Sequence, residues 1–141
     1  GSVQPGGNVD FYASTVRFSL TSPSIPTSWY DYDIEKQQLK LVESTSLPCY
    51  NVDDYSSTVV QVPSAGGVLV PMVVTRHNEA VDGAPALVQG YGAYGVNTSL
   101  SFESRVLPLL SRGWTIARPF VRGGGELGPS WHSSGKLMNK V

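Results

Sequence analysis

The sequence predicts an α/β fold: a short parallel sheet preceded by an antiparallel β-meander. Three observations carry this. Ala86, Leu87 and Val88 form a short apolar run that reads as a buried strand and ends abruptly in a glycine cluster. A helical pattern and a second apolar run, Trp114 to Ala117, come next; strand, helix, strand in that order implies parallel pairing through a right-handed crossover. Upstream lie short alternating segments, rich in aromatic and β-branched residues and separated by turn chemistry, as antiparallel strands are.

Taken in order, residues 1–10 are polar and glycine-rich and read as a frayed beginning, with Gly1-Ser2 looking like a cloning remnant, so that the natural N-terminus is expected elsewhere. Residues 11–20 carry Val16, Phe18 and Leu20 on one face and form the first strand. Two prolines make residues 21–27 a loop. Residues 28–34 and 39–43 give two more strands around the turn 35–38. A meander of three or four short strands is marginal alone and resembles one blade of a propeller more than a free domain. Asp31, Asp33, Asp53 and Asp54 lack the spacing of a calcium loop and are read as caps on backbone amides rather than as a metal site.

Residues 44–51 are polar and proline-broken, which suits a linker, and Cys49 within that stretch is read as a buried free thiol. Residues 56–62 and 68–75 are β-branched strands joined by Pro63-Ser64-Ala65-Gly66-Gly67, a hairpin. His77, in the following turn, is expected to face solvent. Residues 102–112 read as an amphipathic helix, capped by Ser101, ended at Gly113 and shortened or kinked by Pro108.

The glycine-rich loop after the first buried strand, GYGAYG at 90–95, is the chemistry-bearing stretch. Its glycines allow a sharp turn, while Tyr91 and Tyr94 combine apolar rings with hydroxyls. Loops at the C-terminal ends of strands are where open α/β sheets place ligands. The same glycines spell G-x-G-x-x-G, but a dinucleotide needs a helix opening at the third glycine and an acid about 20 residues on. Here Gly95 leads into polar 96–99, and the downstream region reads Arg112-Gly113-Trp114-Thr115, so nucleotide binding is set aside. A second glycine-rich loop, Arg122-Gly123-Gly124-Gly125-Glu126-Leu127-Gly128, follows the next strand and is expected on the same rim. A structural role for it, with Arg122 and Glu126 paired, weighs at least as much as a catalytic one.

Composition excludes several classes. The 141 residues carry 10 Lys+Arg against 11 Asp+Glu, a net charge of −1, so nothing draws the chain to nucleic acid. No apolar run is long enough for a membrane helix. A lone cysteine excludes an internal disulfide framework, no secretory or transit segment is visible, and a cytoplasmic setting is expected. The sequon Asn97-Thr98-Ser99 stands without other signs of secretion. No cofactor is implied.

GYGAYG at 90–95, RGGGELG at 122–128 and WHSSGKLMNK at 131–140 together resemble, in order and spacing, motifs of the prolyl oligopeptidase family, with the strongest likeness to its oligopeptidase B branch. The resemblance covers residues 50–141 well and residues 11–43 loosely. It implies a last propeller blade and linker over 1–48 and the N-terminal portion of an α/β-hydrolase catalytic domain over 49–141. It also implies a serine peptidase acting on short peptides, with Tyr91 matching the oxyanion-hole tyrosine, Tyr94 the aromatic beside the pocket for the residue before the scissile bond, and residues 122–126 the rim of the site. Such a hydrolase needs G-x-S-x-G, in which the serine sits on a strained elbow. No window of this sequence matches it. His132 belongs to the third motif and is not read as the base. The chain is therefore expected to be a fragment, inactive alone, that relies on a missing downstream segment or associates with itself. The rival is a non-catalytic interaction domain or an inactive truncated relative.

Overall fold

The computed structural model describes residues 1–140; the second expected segment's last residue, 141, lies outside them. The chain divides into two compact units, Gly1–Asp53 with Leu100–Ser104, and Asp54–Ser99 with Arg105 onward. Among the described residues no helix is long and apolar enough to cross a membrane.

The first unit is a four-stranded antiparallel meander in the order β1 (Ser2–Pro5), β2 (Thr15–Ser22), β3 (Ile25–Asp33) and β4 (Gln38–Ser44). Three expectations change here. Residues 2–5 are not frayed: they pair with β2 from Ser2↔Thr21 to Pro5↔Phe18. Beyond them the Asn8 side chain continues the ladder, accepting from Arg17 N at 2.7 Å and donating to Arg17 O at 2.8 Å. A polar side chain that mimics a strand backbone leaves no hydrophobic trace in sequence. The proposed loop 21–27 shrinks to a tight turn at Pro23-Ser24, because Ser22 pairs with Ile25 and Pro26 is absorbed into β3. Cys49 is exposed, at φ 59° just after Pro48, rather than buried.

Cross-strand pairs hold the meander. Phe18 stacks on Tyr30 with ring centroids 5.8 Å apart. At the adjacent register position Arg17 forks onto Asp31 at 2.7 and 2.8 Å. Asp33 caps the β3–β4 turn by accepting from Lys36 N at 2.9 Å. Asp31 therefore serves as an ion-pair partner and Asp33 as a cap.

The second unit holds a mixed sheet, ordered β5 (Tyr55–Pro63), β6 (Leu69–His77), β8 (Thr115–Pro119), β7 (Ala86–Val88). β5 and β6 form the expected hairpin, and β7 and β8 pair in parallel, Leu87↔Ile116. β8 is the buried strand. β7, expected to be buried, is an edge with β8 as its partner, and Val88 is 63% exposed. His77 closes β6 rather than facing solvent: it is half-buried, its ring edge-on to Tyr55 at 5.0 Å, its Nδ1 accepting from Glu79 N at 3.1 Å.

The expected helix 102–112 is far shorter. A 3₁₀ turn at Ser104–Val106 leads into α1 (Leu107–Leu110), one turn with Pro108 in its first positions, where proline's missing N–H costs nothing. Gly113, at φ 81°, ends it as predicted. Val106 and Leu110 from this turn meet Ile116 of β8 in the core, backed by Tyr55, Leu87, Leu107 and Leu109. Phe102 belongs to the first unit instead. Its amide donates to Thr21 Oγ1 at 3.1 Å, and its ring lies 5.3 Å from that of Tyr50.

Candidate functional site

Parallel pairing of β7 and β8 brings the two glycine-rich loops to one rim, where Gly95 N donates to Gly123 O at 2.9 Å. The contact is closer than side chains permit. Gly92, Gly123 and Gly135 come from three segments, and a Cβ on Gly123 would strike the carbonyl oxygens of Gly92 and Gly135. A Cβ on Gly135 would meet the backbone of Arg122 and Gly123, and one on Gly92 the side chain of Val121. Backbone packs directly on backbone at Gly123 and Gly135, and at Gly92 a Cβ would also come within 2.9 Å of Arg122 O on a backbone with φ 64°, so glycine is required at all three.

The third motif locks this knot. Residues Pro129–Ser133 form α2, a helical turn whose Trp131 Nε1 donates to Phe120 O at 2.8 Å while Gly123 N donates to Trp131 O at 3.0 Å. His132 Nδ1 lies 2.8 Å from Gly123 O, and because a carbonyl only accepts, that nitrogen carries the hydrogen. Lys140 Nζ donates to Gly92 O and, at 3.2 Å, to Arg122 O. Two side chains of WHSSGKLMNK, His132 and Lys140, are thus spent on the two loops' backbones. Gly135, Lys140 and Thr98 were not singled out from the sequence. Only the glycine carried a signal there, the recurrence of glycine in each motif.

The predicted site residues separate into three places. Tyr91, 59% exposed at the end of β7, lines a cavity of about 410 Å³ with Arg122, Val88 and Pro119. Its hydroxyl has no hydrogen-bond partner among the described residues. Tyr94, at φ 55°, lines a neighbouring cavity of about 470 Å³, with Gly123 in its wall; Gly135 and Lys140 are common to both cavities. Gly124, Gly125 and Glu126 line neither of these. Glu126 reaches Thr98 instead of Arg122, its Oε1 accepting from the Thr98 amide and hydroxyl at 2.8 Å each, while its buried Oε2 has no partner among the described residues. Oε2 folds against Gly124, where a Cβ would collide with it. The second loop is held by a carboxylate, as expected, but through a different partner. Gly95 opens no helix; the next helical turn begins at Ser104.

Chemically, the rim offers a phenol donor and a guanidinium at one cavity, and an aromatic ring with cationic side chains at the other. Among the described residues no group of three His, Cys, Asp or Glu side chains is placed to hold a metal ion.

Known proteins are similar to this chain in sequence and fold. The chain is 34% identical over 134 residues to a prolyl endopeptidase-like protein of Xenopus laevis, covering 94% of this chain and 19% of that protein. Among solved structures it is similar to prolyl oligopeptidase B of Galerina marginata bound to a 25mer macrocyclization substrate, with TM-score 0.90 and 29% identity over 100% of this chain and 20% of that one. It is also similar to oligopeptidase B of Trypanosoma brucei with covalently bound antipain, with TM-score 0.82 and 28% identity over 96% of this chain and 20% of that one. The chain spans about a fifth of the length of the curated relatives it matches. No protein-family model matches it.

Proposed function

We propose that this chain, which belongs to the prolyl oligopeptidase family, carries part of the active site of a serine-type oligopeptidase that cuts short peptides through an acyl-serine intermediate. In this reading residues 1–48 are the last propeller blade and linker, and residues 49–141 open the α/β-hydrolase domain. The serine nucleophile comes from outside the sequence, since no G-x-S-x-G window occurs in it, and the family resemblance implies that the acid and base come with it. The isolated chain then turns nothing over. A cytoplasmic setting is part of the same proposal.

One observation carries the reading: among the described residues the Tyr91 phenol has no hydrogen-bond partner, and it stands just past the C-terminal end of β7, on a loop whose backbone is clamped by Gly123, Gly135 and Lys140. A neutral donor held rigidly costs no reorganisation when a tetrahedral intermediate develops its oxyanion, and such a donor stabilises it by roughly 3–4 kcal/mol. Arg122, on the same cavity, adds positive potential beside that charge. Tyr94 supplies an apolar face for the residue before the scissile bond.

The test is turnover of short peptides by the full-length protein before and after treatment with a fluorophosphonate. Turnover abolished with stoichiometric serine labelling supports the proposal. A full-length protein that neither labels nor cleaves points to the non-catalytic interaction domain.

A further inference from the structure

The tyrosine loop is not held evenly along its length. β7 ends at Val88, and Gln89 N makes the last bond of the sheet, to Ala117 O at 2.9 Å. Further on, Val96 N donates to Ala93 O at 3.0 Å and Gly95 N to Gly123 O at 2.9 Å. Across Gly90, Tyr91 and Gly92, among the described residues, the backbone makes one hydrogen bond: Gly92 O accepts from Lys140 Nζ. The tripeptide that carries the phenol is fixed by packing and by one side chain.

That side chain comes from a third segment. Lys140 follows a 3₁₀ turn at Leu137–Asn139, where its own amide donates to Leu137 O at 3.1 Å. A second N–H of the ammonium reaches Arg122 O at 3.2 Å, so one cation spans both glycine-rich loops. An ammonium donating to a carbonyl makes a charge-assisted bond, roughly twice as strong as a neutral one. Gly92 suits this approach, since a Cβ there would crowd Nζ at 3.2 Å. Lys140 also lines the Tyr91 cavity, and no carboxylate lines that cavity to draw the ammonium away from the carbonyls.

We propose that Lys140 is a positioning residue for peptide turnover: by fixing the Gly92 carbonyl it aims the neighbouring Tyr91 phenol at the developing oxyanion. A reacting group misplaced by about 1 Å costs on the order of 10²-fold in rate, so the bond that sets its direction acts on kcat. The inference rests on the peptidase reading and adds to it the group that orients its donor.

The experiment is a double-mutant cycle in the full-length protein with Tyr91→Phe and Lys140→Met, turnover being followed alongside amide hydrogen exchange of residues 90–95. Lys140→Met alone is expected to lower kcat about 10–100-fold while KM changes less than about threefold. In the Tyr91→Phe background the same substitution is expected to cost less than about threefold, because the donor it orients is already gone. Exchange across 90–95 speeds up in Lys140→Met and stays like the parent's in Lys140→Arg, which keeps the charge and the donors. Equal losses of kcat in the two backgrounds overturn the proposal, since a general loss of structure gives that result. So does a Lys140→Met protein with the parent's kcat or the parent's exchange. If Lys140→Met does not fold, Lys140→Gln, which keeps a donor without the charge, enters the same cycle with the same criteria. A parent protein that cleaves nothing refutes the peptidase reading, and exchange across 90–95 still decides whether Lys140 fixes the loop.

Discussion

Thr98 donates both its amide and its hydroxyl to one oxygen of Glu126, each at 2.8 Å, and so ties the stretch after the tyrosine loop to the second glycine-rich loop. Hydrogen bonds to charged acceptors contribute more than neutral ones, about 1.5–3 kcal/mol each. Thr98→Val removes one of them and is expected to lower unfolding free energy by about that amount. Glu126→Ala orphans both donors and costs more than Thr98→Val. Glu126→Gln retains an acceptor and falls below Glu126→Ala. Chemical denaturation of the three variants gives the ranking, and an alanine variant as stable as the parent would refute the tether.

Gly123 and Gly128 make a controlled pair. Both have positive φ, 99° and 87°, but a Cβ at Gly123 meets the backbones of Gly92 and Gly135, whereas nothing lies within 4 Å of one at Gly128. Gly128→Ala should cost only the strain of forcing a side chain into its φ 87°, ψ −172° backbone, roughly 1–3 kcal/mol. Gly123→Ala must push loops apart as well, so it is expected to abolish peptide turnover in the full-length protein or prevent its folding. Thermal unfolding and turnover measured side by side would separate the two outcomes.

Tyr91→Phe removes a donor and keeps the ring. In the full-length protein kcat is expected to fall roughly 10²–10³-fold with little change in thermal stability, since among the described residues the hydroxyl has no hydrogen-bond partner to lose. Turnover within about a factor of two of the parent would mean that Tyr91 is not an oxyanion donor.

The Arg17–Asp31 fork gives the first unit an acid-sensitive element. Its hydrogen bonds to Arg17 hold the Asp31 carboxyl below its ordinary 3.8. A carboxyl depressed on folding stabilises the fold above its unfolded value and loses that contribution as pH falls through the folded one. The stability difference between the parent and Asp31→Asn is therefore expected to be present at pH 7 and to vanish as pH drops below about 3.8. A difference independent of pH would show that the fork contributes through packing instead.

Much of the fold was legible where pattern and pairing coincide. The hairpin of β5 and β6 followed from β-branched runs around a glycine-rich turn, and the parallel pair β7–β8 from strand, helix and strand in succession. What failed was set by partners far along the chain. Phe102 fits a helical stripe with Val106 and Leu109, yet its place on Tyr50 and Thr21 was invisible to a local pattern. The burial of β7 was misjudged because an apolar run does not reveal whether a strand has one neighbour or two. Of the candidate site, the rim shared by the two loops was readable from their place after adjacent strands. The glycine knot was not, because it depends on the approach of Gly135 from a third segment.

The bond from Phe102 to Thr21 closes a separation of 81 residues, with the whole stretch Asp54–Ser99 between its ends. Contacts of that span come late in folding, because the intervening chain must first bring its two ends together. The meander β1–β4 and the hairpin β5–β6 are built from neighbours in sequence and can form early. Phe102 is then the latch that sets last: truncating it should leave the refolding rate nearly unchanged and mainly speed unfolding.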